Sequence, residues 1–214
     1  YMLWKTNTKF KATIGTGFKA PSLYYLYDPA YGNENLNPEE SFGWDFGIEQ
    51  YLFAQNFSIG TTYFYNKFSD MFGFDYVTLK TINIKEAVTK GVEVYIEAKP
   101  MDELSLKANY TFTDAIDTSP DSPDFDKKLL RRPESKLGFY TSYTFIPKAN
   151  INAEVIWVGV REDVDFSTYQ RTELKGYMLI NLAAHYDVFD FLRLNARAEN
   201  LLDTDYEEVF GYGT

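Results

Sequence analysis

Cysteine is absent from the 214 residues, which removes disulfides, thiolate metal sites and cysteine nucleophiles together. Histidine occurs once, at position 185, so His-rich metal centres are excluded as well. Nowhere do ~20 apolar residues run together, so the chain encodes no transmembrane helix. A membrane β-barrel passes that test unseen, because only alternate residues of its strands face lipid. Positive charge is in deficit, with 21 Lys and Arg against 31 Asp and Glu. A net charge of -10 disfavours nucleic acid as a partner, since that binding rests on cations set against phosphates. The opening Y-M-L-W-K-T has no signal-peptide pattern, so the protein is either not exported or an internal piece of a longer chain.

What the chain has in excess is aromatic residues, 18 Tyr and 18 Phe, and alternation with a period of two. Nine strands follow: Lys9–Phe18, Ser41–Tyr51, Phe57–Asn66, Ile84–Ala98, Leu104–Thr113, Ser135–Phe145, Asn150–Val160, Gly176–Tyr186 and Leu192–Glu199. In the second, Phe42, Trp44, Phe46 and Ile48 share one face and Gly43, Asp45, Gly47 and Glu49 the other. Connectors alternate between tight turns (Leu52–Asn56, Lys99–Glu103, Ile146–Ala149, Asp187–Phe191) and long loops (15–41, 67–83, 114–133, 161–175). Two long strands per repeat argue against the four short strands of a propeller blade, the soluble all-β rival. Strands of this length suit the ~9–11 residues that cross a bilayer at a tilt. Aromatics at the turn side (Tyr51, Phe53, Phe57, Phe145, Phe189, Phe191) read as an interfacial girdle. The fold class is therefore all-β, an antiparallel transmembrane β-barrel. An odd strand count and a loop-like end at Thr214 make it a fragment, because open strand edges do not persist in lipid.

The stretch Gly15–Ser41 is the most distinctive loop, with Pro21, Pro29 and Pro38 and an aromatic cluster. Tyr24, Tyr27 and Tyr31 there are candidate ligand contacts, since Tyr presents a stiff apolar face with a polar tip; packing of the loop is the alternative. Asp114, Asp117, Asp121, Asp124 and Asp126 could offer oxygens to Ca²⁺, but the spacing lacks an EF-hand pattern and reads as a solvated acidic loop. His185, with no Ser in its strand, reads as a lumen-facing hydrogen-bonding residue, so no hydrolase is expected. Asp45, Glu49, Glu93, Glu97, Arg193 and Arg197 read as a network on the lumen side.

Four motifs in order, G-T-G-F-K-A-P-S-L at 15–23, Y-G-N-E-N-L-N-P-E-E-S at 31–41, T-K-G-V-E-V at 89–94 and E-N-L-L-D-T-D-Y at 199–206, resemble TonB-dependent outer-membrane transporters. The resemblance covers roughly the last two-fifths of that family's barrel domain, which implies a fragment of a barrel of about 22 strands. It implies that the plug domain, the TonB box, the first half of the barrel and the final strand lie outside residues 1–214. It further implies a bacterial outer-membrane location, contact with outer-membrane lipid and lipopolysaccharide, and energy from TonB acting through the plug. No cofactor and no enzymatic step are implied.

Within the family, L-L-R-R at 129–132, D-F-S-T-Y at 165–169 and Y-E-E-V-F-G-Y at 206–212 are similar to the cobalamin (vitamin B12) transporters. By that resemblance Arg131, Phe166 and Tyr212 fall where the ligand is touched. Phe166 stands where Tyr is usual there, and Asp28-Pro29-Ala30 replaces an aromatic. The expected cargo is a corrinoid, with a ferric siderophore as the alternative and a plugless passive porin as the rival function.

Overall fold

Each stretch of period-two alternation forms a strand of one antiparallel meander in the computed structural model, which describes residues 1–75, 77–120 and 122–213, the side chains of 84 and 85 excepted. A short β1 (Met2–Leu3) precedes β2 (Thr8–Lys19), the helix α1 (Leu23–Tyr27), β3 (Glu39–Leu52), β4 (Phe57–Asp75), β5 (Lys80–Met101), β6 (Leu104–Asp117), β7 (Ser135–Ile146) and β8 (Ala149–Val158). A small hairpin of β9 (Arg161–Asp165) and β10 (Gln170–Leu174) comes next, then β11 (Tyr177–Phe189), β12 (Leu192–Ala198) and a last hairpin of β13 (Glu207–Val209) and β14 (Tyr212–Gly213). The main sheet has ten strands in the order β1-β2-β3-β4-β5-β6-β7-β8-β11-β12. Apart from the inserted β9–β10 hairpin, chain neighbours are sheet neighbours, as an up-and-down barrel wall requires.

Register keeps the two faces chemically distinct across the whole sheet. Ile48 lies opposite Thr61, Ile59 opposite Ile96, Val94 opposite Tyr110, Tyr110 opposite Leu137, and Leu137 opposite Trp157. Trp157 then faces Met178, and Tyr186 faces Leu194. These residues form a continuous apolar face, and most of its large side chains are exposed. Soluble proteins do not expose apolar surface on this scale; a lipid-facing barrel wall does. The opposite face carries Lys11, Asp45, Glu93, Lys107, Glu154 and Arg197, with Gly43 opposite Gly15. A one-residue slip would exchange the faces, so register is strongly specified.

Several expectations need correction. Loop 67–83 is mostly strand: β4 and β5 stay paired as far as Asp75 and Lys80. Asp70 has a positive φ (56°), yet the register is the same on either side of it, Ser69 opposite Glu86 and Met71 opposite Ile84. Loop 161–175 contains β9 and β10 rather than irregular chain. The loop at 114 begins later, because β6 runs on to Asp117 and a bridge joins Ile116 to Lys128. Tyr51 leaves the girdle: it has the parity of Glu49 and its hydroxyl donates to Glu49 Oε2 at 2.8 Å, on the polar face. Phe53, Phe145, Phe189 and Phe191 do stand exposed at the tight turns, with Phe189 and Phe191 stacked at 5.3 Å. Asp121 and Thr214 lie outside the described residues.

Candidate functional site

The loop after β2 is built by local hydrogen bonds. Ser22 caps α1, its side chain accepting from the Tyr25 amide at 3.1 Å. Asp28 ends the helix, and its Oδ1 accepts from the Ala30 and Tyr31 amides at 3.0 and 2.8 Å. The segment is then fastened to the top of β5. Thr81 N–H donates to Tyr31 O at 2.9 Å, Asn33 Nδ2 donates to Thr81 O at 3.0 Å, and the Asn83 side chain both donates to Asn37 O and accepts from Asn37 N. Those pairings use the side chain of Asn33 and the backbone of Asn37 from the 31–41 motif.

The four tyrosines of this segment divide between uses. Tyr31 packs edge-on against Phe74 at 5.7 Å, and Tyr25 packs on Phe72 at 5.3 Å. Tyr24 and Tyr27 are about 60% exposed, at 59% and 60%. They offer aromatic surface at the end of the barrel wall that carries the long loops.

A second group gathers further along the wall, in the connections after β6 and β8. Arg131 and Phe166, from different loops, come together with the guanidinium over the Phe166 ring at 5.6 Å. Such a contact holds the ring and cation facing one another and is worth ~0.5–1 kcal/mol where exposed. Arg131 Nε donates to Asp163 Oδ1 at 2.9 Å, and the Arg131 amide donates to Glu162 O at 2.7 Å. Tyr212 lies on β14, 71% exposed, in a hairpin held to the same place because the Phe210 amide donates to Asp163 Oδ2 at 2.8 Å. Arg161 strengthens that junction: its Nη2 donates to the Glu207 carbonyl and its guanidinium lies over Tyr177 at 5.4 Å. Tyr177 stacks on Tyr206 at 4.2 Å and donates to Glu208 at 2.8 Å.

Asp163 and Arg161 went unnoticed in the sequence, hidden in a stretch read as loop. The alternation of R-E-D-V-D was the available signal: it sets Arg161, Asp163 and Asp165 on one side of a short strand. Asp163 has no exposed surface. Burial pushes its carboxyl up, but the Phe210 and Val164 amides and the Arg131 guanidinium outweigh this and hold it below the usual carboxylate range.

Three carboxylates of the acidic stretch, Asp114, Asp117 and Asp124, are paired, while Asp126 is exposed as a solvated loop requires. Asp117 is buried and accepts from the Ser119 amide and the Ser122 hydroxyl, each at 2.7 Å. Lys128 sits between Asp114 and Glu134, and the Glu134 contact raises its ammonium above the ordinary value. Arg171 of β10 bridges Asp124 at 3.1 Å and Glu162, tying this loop to the β9–β10 hairpin. No cluster of three or more metal-ligating side chains stands among the described residues.

On the polar face of the sheet, Glu49 is buried between Lys9 and Lys11. Glu97 pairs with Lys107, Arg193 with Asp187 and Arg197 with Glu199, so four of the six residues expected to form one network sit instead in separate local pairs with partners outside that set. His185 lies on this face, opposite Asn150 and Asn195. Grooves of about 810 and 360 Å³ run along the same face, one beside Thr13, Gly43 and Asp45, the other beside Lys107, Glu154 and Arg197.

The same wall recurs in solved outer-membrane proteins. The ferripyoverdine receptor of Pseudomonas aeruginosa is 22% identical over 95% of this chain, with a TM-score of 0.74. The copper transporter OprC is 18% identical over 96%, at 0.78, and the ferric-catecholate import receptor Fiu of E. coli K12 is 15% identical over 94%, at 0.74. At these identities the likeness is one of fold. The chain spans only 28%, 33% and 30% of those three chains, about a third of their length or less. The family model for the TonB dependent receptor-like beta-barrel matches residues 2–201. The chain therefore belongs to the TonB-dependent receptor β-barrel family, and its ten-stranded sheet is a stretch of bacterial outer-membrane barrel wall.

Proposed function

We propose that this segment belongs to an active-transport receptor which captures a scarce, bulky metal complex at its extracellular loops and imports it with energy supplied by TonB. The observation that carries the reading is the convergence of three extracellular segments on Arg131, Phe166 and Tyr212, with exposed aromatic faces beside a cation. A simple pore gains nothing from interlocked loops, whereas a receptor needs a preorganised surface. Substrate is bound and passed on, with no bond made or broken in it.

In this reading residues 1–214 form the C-terminal part of a barrel of about 22 strands, with a plug domain elsewhere in the protein. The free edge of β12, which has no strand partner among the described residues, supports a larger barrel, since an open edge in hydrocarbon leaves backbone groups unsatisfied. TonB would act through the plug, and outer-membrane lipid and lipopolysaccharide would surround the apolar face.

Two cargo classes fit. The motifs around Arg131, Phe166 and Tyr212 favour a corrinoid. A ferric siderophore is supported by neighbours of the same fold whose names refer to pyoverdine and ferric catecholates. Titration of the full-length receptor with cyanocobalamin and with ferric enterobactin separates them. Binding of one well below micromolar is expected; micromolar or weaker binding of both would sink the capture reading. Steady conductance in a planar bilayer would favour a passive porin instead.

A further inference from the structure

We propose that Asp163 is the positioning residue of this site, a single buried carboxylate that holds three extracellular segments together and so sets Arg131, Phe166 and Tyr212 relative to one another. The proposal rests on the ligand-capture reading above. Asp163 comes from β9, inside one loop, and has no exposed surface. Its Oδ1 accepts from Arg131 Nε at 2.9 Å, in the loop between β6 and β7, and from the Val164 amide at 2.8 Å. Its Oδ2 accepts from the Phe210 amide at 2.8 Å, in the turn of the β13–β14 hairpin that carries Tyr212 two residues later. Phe166 follows Asp163 by three residues. All three candidate ligand contacts of this second group thus radiate from one carboxylate.

Only an ionised acid answers these donors. Three N–H groups converge on two oxygens, and a carboxylate is acceptor-only at both. An Asn in its place would turn its NH₂ toward Arg131 or toward the Phe210 amide, donor against donor. A buried carboxylate is expensive unless paired and hydrogen-bonded, and here every contact that offsets the burial reaches a segment of the candidate site. Arg131 is constrained further by a left-handed backbone (φ 59°) and by the hydrogen bond its N–H donates to the Glu162 carbonyl. With Nε committed to Asp163, both Nη groups lack a hydrogen-bond partner among the described residues, and its side chain is partly exposed beside Phe166. The carboxylate aims the guanidinium; the guanidinium then has donors left for a ligand.

The hairpin has other anchors, Arg161 to Glu207 and Tyr177 to Glu208, so removing the Asp163 charge loosens the site without releasing it. The test uses the full-length receptor in detergent, with cyanocobalamin and ferric enterobactin as probes, and variants Asp163→Asn, Arg131→Gln, their combination, and Asp187→Asn, which breaks a carboxylate–arginine pair at the tight-turn end of the sheet. Asp163→Asn is expected to weaken whichever probe binds by about tenfold or more, as loss of charge-assisted hydrogen bonds does. In the Arg131→Gln background it should add less than about threefold, because neighbouring groups acting as one unit are not additive. Asp187→Asn should leave affinity near that of the unmodified receptor. Hydrogen exchange should quicken in both 129–134 and 207–213 in Asp163→Asn, with β4 and β5 unchanged. Unchanged exchange in those segments overturns the proposal whether or not either probe binds. Faster exchange with unchanged affinity overturns the positioning role, as does multiplication of the two single effects. Failure of both probes on the unmodified receptor, with the exchange result as expected, overturns the ligand reading and leaves Asp163 as a structural clamp alone.

Discussion

The assignment of faces can be tested at one residue, Val94, in the middle of β5. Its neighbours across the sheet are Thr61 and Tyr110, both on the apolar face. The turn-side edge of the apolar band lies near Ala98, where Phe57 pairs, and the opposite edge is marked by Lys90, which pairs with Asp114 at 3.5 Å. A strand rising ~3.3 Å per residue and tilted by about 40° advances ~2.5 Å per residue along the membrane normal. The ~25 Å apolar band therefore takes about ten residues, and Val94 falls within about one residue of its midplane. Val94→Arg places a guanidinium in hydrocarbon at a cost of about 2–4 kcal/mol, a factor of roughly 30 to 1000 in the folding equilibrium. Thr111→Arg, on the polar face between Glu93 and Lys136, meets one opposite and one like charge and should cost less than about 1 kcal/mol. The assay is urea titration of the full-length receptor folded into phospholipid vesicles, read by heat-modifiable gel mobility. Equal costs for the two substitutions would refute the face assignment, and a larger cost for Thr111→Arg would invert it.

Two further outcomes follow from local geometry. A Cβ on Gly91 would collide with the Phe112 carbonyl oxygen and lie 2.7 Å from Phe64 Cζ, so Gly91→Ala should destabilise the β5–β6 pairing by about 1–3 kcal/mol, measurable in the same titration. Asp163 is held below its ordinary carboxyl value of 3.8, so its contribution is fully present above that value and is lost as pH falls through the lower folded one. Exchange protection of 207–213 should therefore be constant from neutral pH to about 4 and decline below it, once corrected for intrinsic rates, with Asp163→Asn showing no such step.

The sequence alone determined the wall. Alternation in stretches such as Phe42–Glu49 is a local property, and a buried or lipid-facing side enforces it residue by residue, so strands, faces and tight turns were all legible. It did not reveal how far β4 and β5 extend, because pairing beyond the bilayer is held by partners from another loop, Tyr25 on Phe72 and Tyr31 on Phe74. Tyr51 reads as a girdle residue by its place at a turn, but its parity with Glu49 already sets it on the polar face, where its hydroxyl bonds that carboxylate. The candidate site shows the same division. Arg131, Phe166 and Tyr212 could be named from motifs, but Asp163 could not, since its role exists only where residues 32 positions before it and 47 after it meet. A period-two pattern is written in neighbouring residues; a buried carboxylate joining three loops is decided by which loops the tertiary fold brings together.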